Sequence, residues 1–230
     1  MASPSKTSID QLGDRLRSSD VSDADLRLLD NYRRSFAEAY EHVISTVRTV
    51  LGFEPTGRPA KSTTSITEKL QRETIRLTQM QDIAGCRLVV PDIQTQEDVV
   101  DALRHALDRV AIVDRRKHPS HGYRAVHVIA TVGGKSIEIQ VRTALQHLWA
   151  EFSEKLADVV DPDIKYGGGP PETRSLLSEY SGLVGDVERF ELDTSKTEPA
   201  GVADLKKRLR GLLEREVARL VKRGRDVVSD

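Results

Sequence analysis

The sequence predicts an α/β (α+β) chain in which a mixed sheet is flanked by helices. Three observations predict it. Residues 136–142, Ser-Ile-Glu-Ile-Gln-Val-Arg, alternate polar and apolar side chains, the period of a half-buried strand, with Ile137, Ile139 and Val141 toward the core. Val132-Gly133-Gly134-Lys135 joins that stretch to a second strand-like run, 123–131, by a hairpin signal. Around these runs lie segments of helical period, and strand, helix, hairpin and helix in succession imply a sheet covered by helices.

Taken in order, residues 1–7 read as frayed, and a short amphipathic helix is expected over 9–17. Ser22-Asp23-Ala24-Asp25 resembles a capping box. From there Leu26, Leu29, Phe36, Tyr40, Val43, Ile44, Val47 and Leu51 recur at helical spacing, which predicts a run that Gly52 stops. Residues 55–60, Pro-Thr-Gly-Arg-Pro-Ala, read as a loop, and 64–70 as the start of a helix with a Ser or Thr cap. Strands are expected at 83–90, 123–131 and 136–142, with an edge strand at 111–115. Helices are expected at 94–109, 143–159 and, after the Gly167–Pro171 break, 172–189. Residues 193–199 read as a polar linker. The last helix carries Val202, Leu205, Leu209, Leu212, Leu213, Val217 and Leu220 on one stripe and basic residues from Lys206 to Arg223 on the other face. This gives N-terminal helices at 1–54, a core at 55–165 and C-terminal helices at 166–230.

Length and composition narrow the function classes. A chain of 230 residues can form a real core with appended helices. Its formal net charge of −1 gives no whole-molecule field toward nucleic acid or membrane, so any basic site must be local. A single cysteine excludes an internal disulfide framework and fits a reducing compartment. The first residues lack the apolar run of a signal peptide, and no stretch is apolar enough to span a bilayer, so the expectation is a soluble cytoplasmic protein.

Four groups of residues carry candidate chemistry. Arg58, Lys61, Ser65, Lys69 and Arg72 place several cations and a hydroxyl near one helix face behind a Gly/Pro loop, an arrangement that suits a polyphosphate; a solvated basic face would look the same. Asp82 stands at the mouth of a strand before Ile83-Ala84-Gly85, with Arg87 beyond, and is either a metal ligand or a turn residue. Glu138, a carboxylate among β-branched neighbours, needs a metal or an ion pair with Arg142 or Arg87. Glu138, Gln140 and Arg142 share one face of their strand. Tyr123 and His127 are an even number of residues apart, which puts both on one face of the strand expected at 123–131, where a ring could stack on a base or simply cover the sheet. Gly133-Gly134-Lys135-Ser136 is not a phosphate loop, because Ile129 occupies the first glycine position and a strand follows. His118-x-x-His121 lies in a Pro/Gly-rich loop without a cysteine and reads as an ordinary loop.

In combination these motifs resemble the synthetase domain of the RelA/SpoT family, specifically the small alarmone synthetases. The resemblance runs over about residues 55–165. It rests, in order, on Lys61-x-x-x-Ser65-Ile66-x-x-Lys69-Leu70-x-Arg72, Asp82-Ile83-Ala84-Gly85-Cys86-Arg87, Gly122-Tyr123-x-x-x-His127, Glu138-Ile139-Gln140-Val141-Arg142-Thr143 and Gln146-His147-x-Trp149-Ala150-Glu151. It implies a nucleotidyltransferase-like fold with a mixed five-stranded sheet, and pyrophosphate transfer from ATP to a ribose 3′-hydroxyl. Under it Arg58, Lys61, Ser65, Lys69, Arg72 and Arg87 bind ATP, and Asp82 and Glu138 hold Mg²⁺, Glu138 also acting as base. Tyr123 stacks on the acceptor base, with His127, Gln140 and Arg142 completing that pocket.

The chain departs from the family in spacing Arg58 one residue further from Lys61 than the usual Arg-x-Lys. The run from Ala157-Asp158 to Lys165-Tyr166-Gly167-Gly168-Gly169 is closer to a toxic branch found in actinobacterial and phage toxin–antitoxin pairs. That likeness implies as acceptor either a purine nucleotide or the 3′ end of tRNA, the latter met by Arg115, Arg116 and Lys117, and as partner a protein antitoxin. A housekeeping synthetase of the stringent response using GDP or GTP, and a non-catalytic module of the same fold, are the alternatives. The apolar stripe of the last helix is open to three partners: the chain's own core, a second copy, or an antitoxin.

Overall fold

The computed structural model describes residues 4–193 and 200–228, with the side chains of Ala200 and of 223–228 excepted. The frayed start, the polar linker and Arg223 of the basic face lie wholly or partly outside them. The helices are α1 (Lys6–Ser18), α2 (Asp23–Arg34), α3 (Ala37–Thr46), α4 (Thr63–Arg72), α5 (Ile93–Ala106), α6 (Ala144–Val159), α7 (Pro171–Leu192) and α8 (Ala200–Val228). The strands β1 (Thr56–Arg58), β2 (Ala84–Val90), β3 (Val110–Asp114), β4 (Val126–Val132) and β5 (Lys135–Thr143) form one mixed five-stranded sheet in the order β1-β2-β5-β4-β3. The expected fold class, with β3 at an edge, is what the chain adopts.

Three expectations need correction. The helical run over 22–51 is broken: α2, which does begin with the Ser22/Asp25 capping box, ends at Arg34, and α3 begins at Ala37. At the break, Phe36 is buried and stacks edge-on against Tyr32, centroids 5.2 Å apart. Apolar spacing therefore continues through the break. A π turn at Val47–Leu51 then ends at Gly52, whose φ of 68° serves the stop. The loop at 55–60 contains β1, which pairs antiparallel with β2, Gly57 opposite Cys86. A Cβ on Gly57 would lie 1.9 Å from the Tyr40 hydroxyl, so any side chain there would displace the Tyr40 ring. The strand expected from Tyr123 begins only at Val126. Tyr123 instead forms an isolated bridge with Ser120, next to Gly122 at φ 82°.

The chain gathers into two compact units. One comprises Met1–Leu88, Ala102–Ile112 and Val128–Gln140. Its α1 buries Ile9, Leu12 and Leu16, and α4 buries Ile66 and Leu70. Two long-range bonds fix α4: Arg17 Nε donates to the Leu70 carbonyl at 2.7 Å, relieving an orphan acceptor at the helix end, and Arg33 donates to Thr63 Oγ1 at 2.7 Å. The β4–β5 turn in this unit has Gly133 and Gly134 both at positive φ, the requirement of a type I′ hairpin. Beside it, Lys135 Nζ donates to Ser35 and lies over the Tyr32 and Phe36 rings.

The other unit comprises Val89–Asp101, Val113–His127 and Val141–Asp230. Its core is a three-helix cluster. Leu145, Trp149 and Phe152 of α6 pack with Leu177 and Val184 of α7 and Leu209 and Leu213 of α8. The apolar stripe of α8 thus has a place in the chain's own core. Thr143 caps α6, accepting from Gln146 N, while Gln146 Oε1 accepts from Thr143 N.

Candidate active site

In the first unit the cations gather around one carboxylate. Asp82 lies just before β2 and is only 8% exposed. Lys61 Nζ donates to its Oδ2 at 2.8 Å and Lys69 Nζ to its Oδ1 at 2.9 Å. Arg58 donates to the Asp82 carbonyl at 2.8 Å, and its guanidinium stands 3.7 Å from Oδ2. Lys61 precedes the helix rather than lying on it, yet its backbone N–H, bonded to the Ile83 carbonyl at 2.7 Å, aims it at the same point as Lys69. Ser62, the N-cap of α4, accepts from Ser65 N, and the two hydroxyls are 2.9 Å apart at the positive end of the helix. Arg72 closes the other end of α4, 3.4 Å from Glu73.

Burial alone would raise the Asp82 pKa, but the charges of Lys69 and Lys61 and their hydrogen bonds outweigh it and hold the carboxyl at about 2, against 3.8 unperturbed. Because the folded value lies below the unfolded one, the unfolded chain binds more protons in between. The contribution, roughly 2 kcal/mol, is fully present above the unfolded value and is lost as pH falls through the folded one. Urea midpoints taken from about pH 5 down to about pH 2 are expected to fall, and Asp82→Asn is expected to lose that part of the slope.

Glu138 and Gln140 project from β5, Gln140 Nε2 donating to Glu138 Oε2 at 2.8 Å. They line a cavity of about 150 Å³ with Arg58, Arg87, Gly85 and Cys86. Gly85 lets β2 approach β5 here: a Cβ would lie 2.4 Å from the Glu138 carbonyl oxygen. Burial and the neighbouring Glu138 charge push the Cys86 thiol up to about 12, so it is no nucleophile. The carboxylates of Asp82 and Glu138 are hard oxygen donors of the kind Mg²⁺ takes, and both oxygens of Asp82 already accept from the Lys61 and Lys69 ammoniums.

In the second unit Tyr123, His127 and Arg142 come together, although Tyr123 is outside the strand. Arg142 Nη2 donates to the Tyr123 hydroxyl at 3.0 Å, and the same hydroxyl is 3.0 Å from His127 Nε2. A guanidinium only donates, so the phenol proton is available to a neutral imidazole accepting at Nε2. Of the basic triplet, Arg116 is turned inward. It bonds to both Asp114 oxygens and Gln96 and pairs with Glu97 at 2.8 Å. The Lys117 side chain is 76% exposed, while Arg115 is half-buried.

Sequence reasoning missed the polar network beneath this group. Gln96 Nε2 donates to the Val141 carbonyl at 2.7 Å and to Gln146 Oε1 at 2.9 Å, and Gln146 Nε2 donates to Glu188 at 2.8 Å. Glu188 also receives the Arg124 guanidinium. Gln146 was visible as part of a motif; its partners, 42 and 50 residues away, left no local signal.

Parts of the chain are similar to known proteins. Residues 57–157, just under half of the chain, match the model of a region found in RelA/SpoT proteins. An uncharacterized protein of Mycobacterium tuberculosis (strain H37Rv) is 35% identical over 147 residues, 60% of this chain and 53% of that protein. The chain therefore spans about half the length of the curated relatives it matches. A probable chloroplastic GTP diphosphokinase of Oryza sativa subsp. japonica is 36% identical over 96 residues, 40% of this chain and 13% of that one. The crystal structure of small alarmone synthetase 1 from Bacillus subtilis superposes with a TM-score of 0.50 at 27% identity, covering 76% of this chain and 95% of that one. What the chain shares with these proteins is the region found in RelA/SpoT proteins, at 57–157, and the fold of the small alarmone synthetase.

Proposed function

We propose that this chain, carrying the RelA/SpoT region at 57–157, is an ATP-dependent pyrophosphokinase that transfers the β,γ-pyrophosphate of ATP to a ribose 3′-hydroxyl. The observation that carries the reading is the convergence of Lys61 and Lys69 on Asp82, with Glu138 and Arg87 lining the neighbouring cavity. One carboxylate held by two ammoniums and a nearby guanidinium leaves local positive charge, which suits a polyphosphate. Lys61, Lys69, Ser65, Arg58, Arg72 and Arg87 bind ATP. Asp82 and Glu138 would hold Mg²⁺, which would supply charge to neutralise the phosphates. Glu138 takes the proton of the acceptor hydroxyl as its oxygen bonds to the β-phosphorus; the bond from that phosphorus to the α–β bridging oxygen breaks, and AMP leaves. Catalysis of this kind is mainly positioning and charge stabilisation.

Tyr123, with Arg142 and His127 on its hydroxyl, offers a ring to the acceptor base; for Gln140, acceptor binding is what the family resemblance implies. A purine nucleotide, GDP or GTP, is the acceptor we favour, because Arg116 is committed to Asp114 and Glu97 and the basic surface before Tyr123 is correspondingly reduced. A toxic enzyme acting on the 3′ end of tRNA through Arg115 and Lys117, and held in check by an antitoxin, is the second reading, favoured by the sequence of 157–169.

The test is incubation of the purified chain with Mg²⁺ and γ-labelled ATP, offering GDP, GTP, AMP, ADP and bulk tRNA separately. Label in a guanine nucleotide is the expected result. Label in tRNA alone would establish the second reading. No label in any acceptor would refute the transferase and leave a binding module of the same fold.

A further inference from the structure

We infer that Ser181 and Glu188 of α7, both outside the residues matched to the RelA/SpoT region, are positioning residues that hold Tyr123 ready for the acceptor. The inference rests on the reading of Tyr123 proposed above and concerns what fixes it. The backbone at Tyr123 is not part of a strand. It precedes β4, and its immediate neighbours are His121 at φ 51° and Gly122 at φ 82°, with a single bridge to Ser120. A ring that must stack on a base needs a fixed backbone, because misplacement of a binding group by about 1 Å can cost on the order of a hundredfold in rate.

Helix α7 supplies the fixing on both sides of the tyrosine. Ser181 Oγ donates to the Gly122 carbonyl at 2.8 Å. Arg124 Nε lies 3.0 Å from each carboxylate oxygen of Glu188, and Arg124 Nη2 donates to Glu188 as well. Ser181 and Glu188 are seven residues apart, two helical turns, and so lie on one face. Both are 5% exposed. The contact between them is equally close: a Cβ on Gly185 would lie 3.2 Å from the Arg124 guanidinium carbon, and one on Gly122 would lie 3.1 Å from Ser181 and from Trp149.

Stability alone does not account for this choice of residues. A buried carboxylate–guanidinium pair is commonly no more stabilising than apolar side chains of the same volume, whereas its geometry is far more specific. Here that geometry is applied to the two residues that flank Tyr123. Glu188 also accepts from Gln146 of α6, so the carboxylate is held from a second element.

The test uses the full chain and steady-state kinetics of Ser181→Ala, Glu188→Gln and, as reference, Tyr123→Ala, with ATP and acceptor varied independently. The two α7 variants are expected to raise the acceptor KM about three- to tenfold while leaving the ATP KM within about twofold. A purely structural role would instead lower the fraction of active protein, and so kcat, with both KM values unchanged. That outcome, alongside a Tyr123→Ala that does raise the acceptor KM, would overturn the inference. If Tyr123→Ala leaves the acceptor KM unchanged, the acceptor reading of Tyr123 fails instead. Hydrogen exchange at residues 119–125 gives a readout independent of activity. Faster exchange in both α7 variants is expected, and unchanged rates would overturn the clamp even in a chain without transferase activity.

Discussion

Replacement of Glu138 by glutamine is expected to lower pyrophosphate transfer by about three orders of magnitude with little change in thermal stability. The isosteric amide keeps an oxygen that can accept from Gln140 Nε2, now 2.8 Å from the carboxylate, so the strand face loses little packing. It loses the negative charge that would hold a divalent ion and the basicity that would accept the hydroxyl proton. Removal of a general base alone typically costs two to four orders of magnitude, roughly 3–5 kcal/mol of barrier, and loss of a metal ligand adds to that. The check is kcat with γ-labelled ATP and the productive acceptor, with a melting curve of the same preparation. Wild-type turnover in Glu138→Gln would remove Glu138 from the chemistry and leave Asp82 as the only carboxylate proposed for it.

Gly85→Ala is expected to be the most damaging small substitution in the first unit, costing about 3 kcal/mol and most of the activity. The new methyl would stand 2.4 Å from the Glu138 carbonyl oxygen and 3.3 Å from its carbonyl carbon and Cβ. The first of these neighbours is backbone in a paired strand, so it cannot rotate away. Either β2 or β5 must shift, and a shift of β5 moves Glu138 itself. Gly182→Ala on α7 is the matched control. A Cβ there meets nothing within 4 Å, and alanine in a helix interior is worth about 1 kcal/mol over glycine, so that variant should melt slightly higher. Urea midpoints of the pair settle the matter: equal stabilities would show that β2 and β5 accommodate a side chain at Gly85.

The strands and most helices were legible because they carry period and punctuation. The alternation in β5, the glycine pair of the turn and the Ser22 cap are local signals, and each produced its element. Where the structure departs from the reading, the cause is contact between distant residues. Three residues of β1 are too few to show a period, and they form a strand only because β2 offers an edge and Tyr40 leaves room for Gly57. The break at Ser35–Phe36 occurs where spacing favours continuation, with Lys135 of the hairpin over both the Tyr32 and Phe36 rings. Most candidate site residues could be read from motifs, and Lys61, Lys69 and Asp82 do meet. Tyr123 was found for a wrong reason, since strand parity does not apply outside β4, yet it reaches His127 all the same. Ser181 and Glu188 gave no local signal in an ordinary amphipathic helix, because their partners lie 59 and 64 residues away.

The three-helix cluster also bears on where the chain can be cut. The family match ends at residue 157, within α6, but Leu145, Trp149 and Phe152 of that helix are covered by α7 and α8. A fragment ending with the matched region would keep every signature motif and present a tryptophan, a phenylalanine and several leucine-sized side chains to water, a surface that favours aggregation. The stretch recognisable by descent is thus shorter than the stretch that can stand alone. A domain boundary drawn from motifs would fall inside a single folded piece.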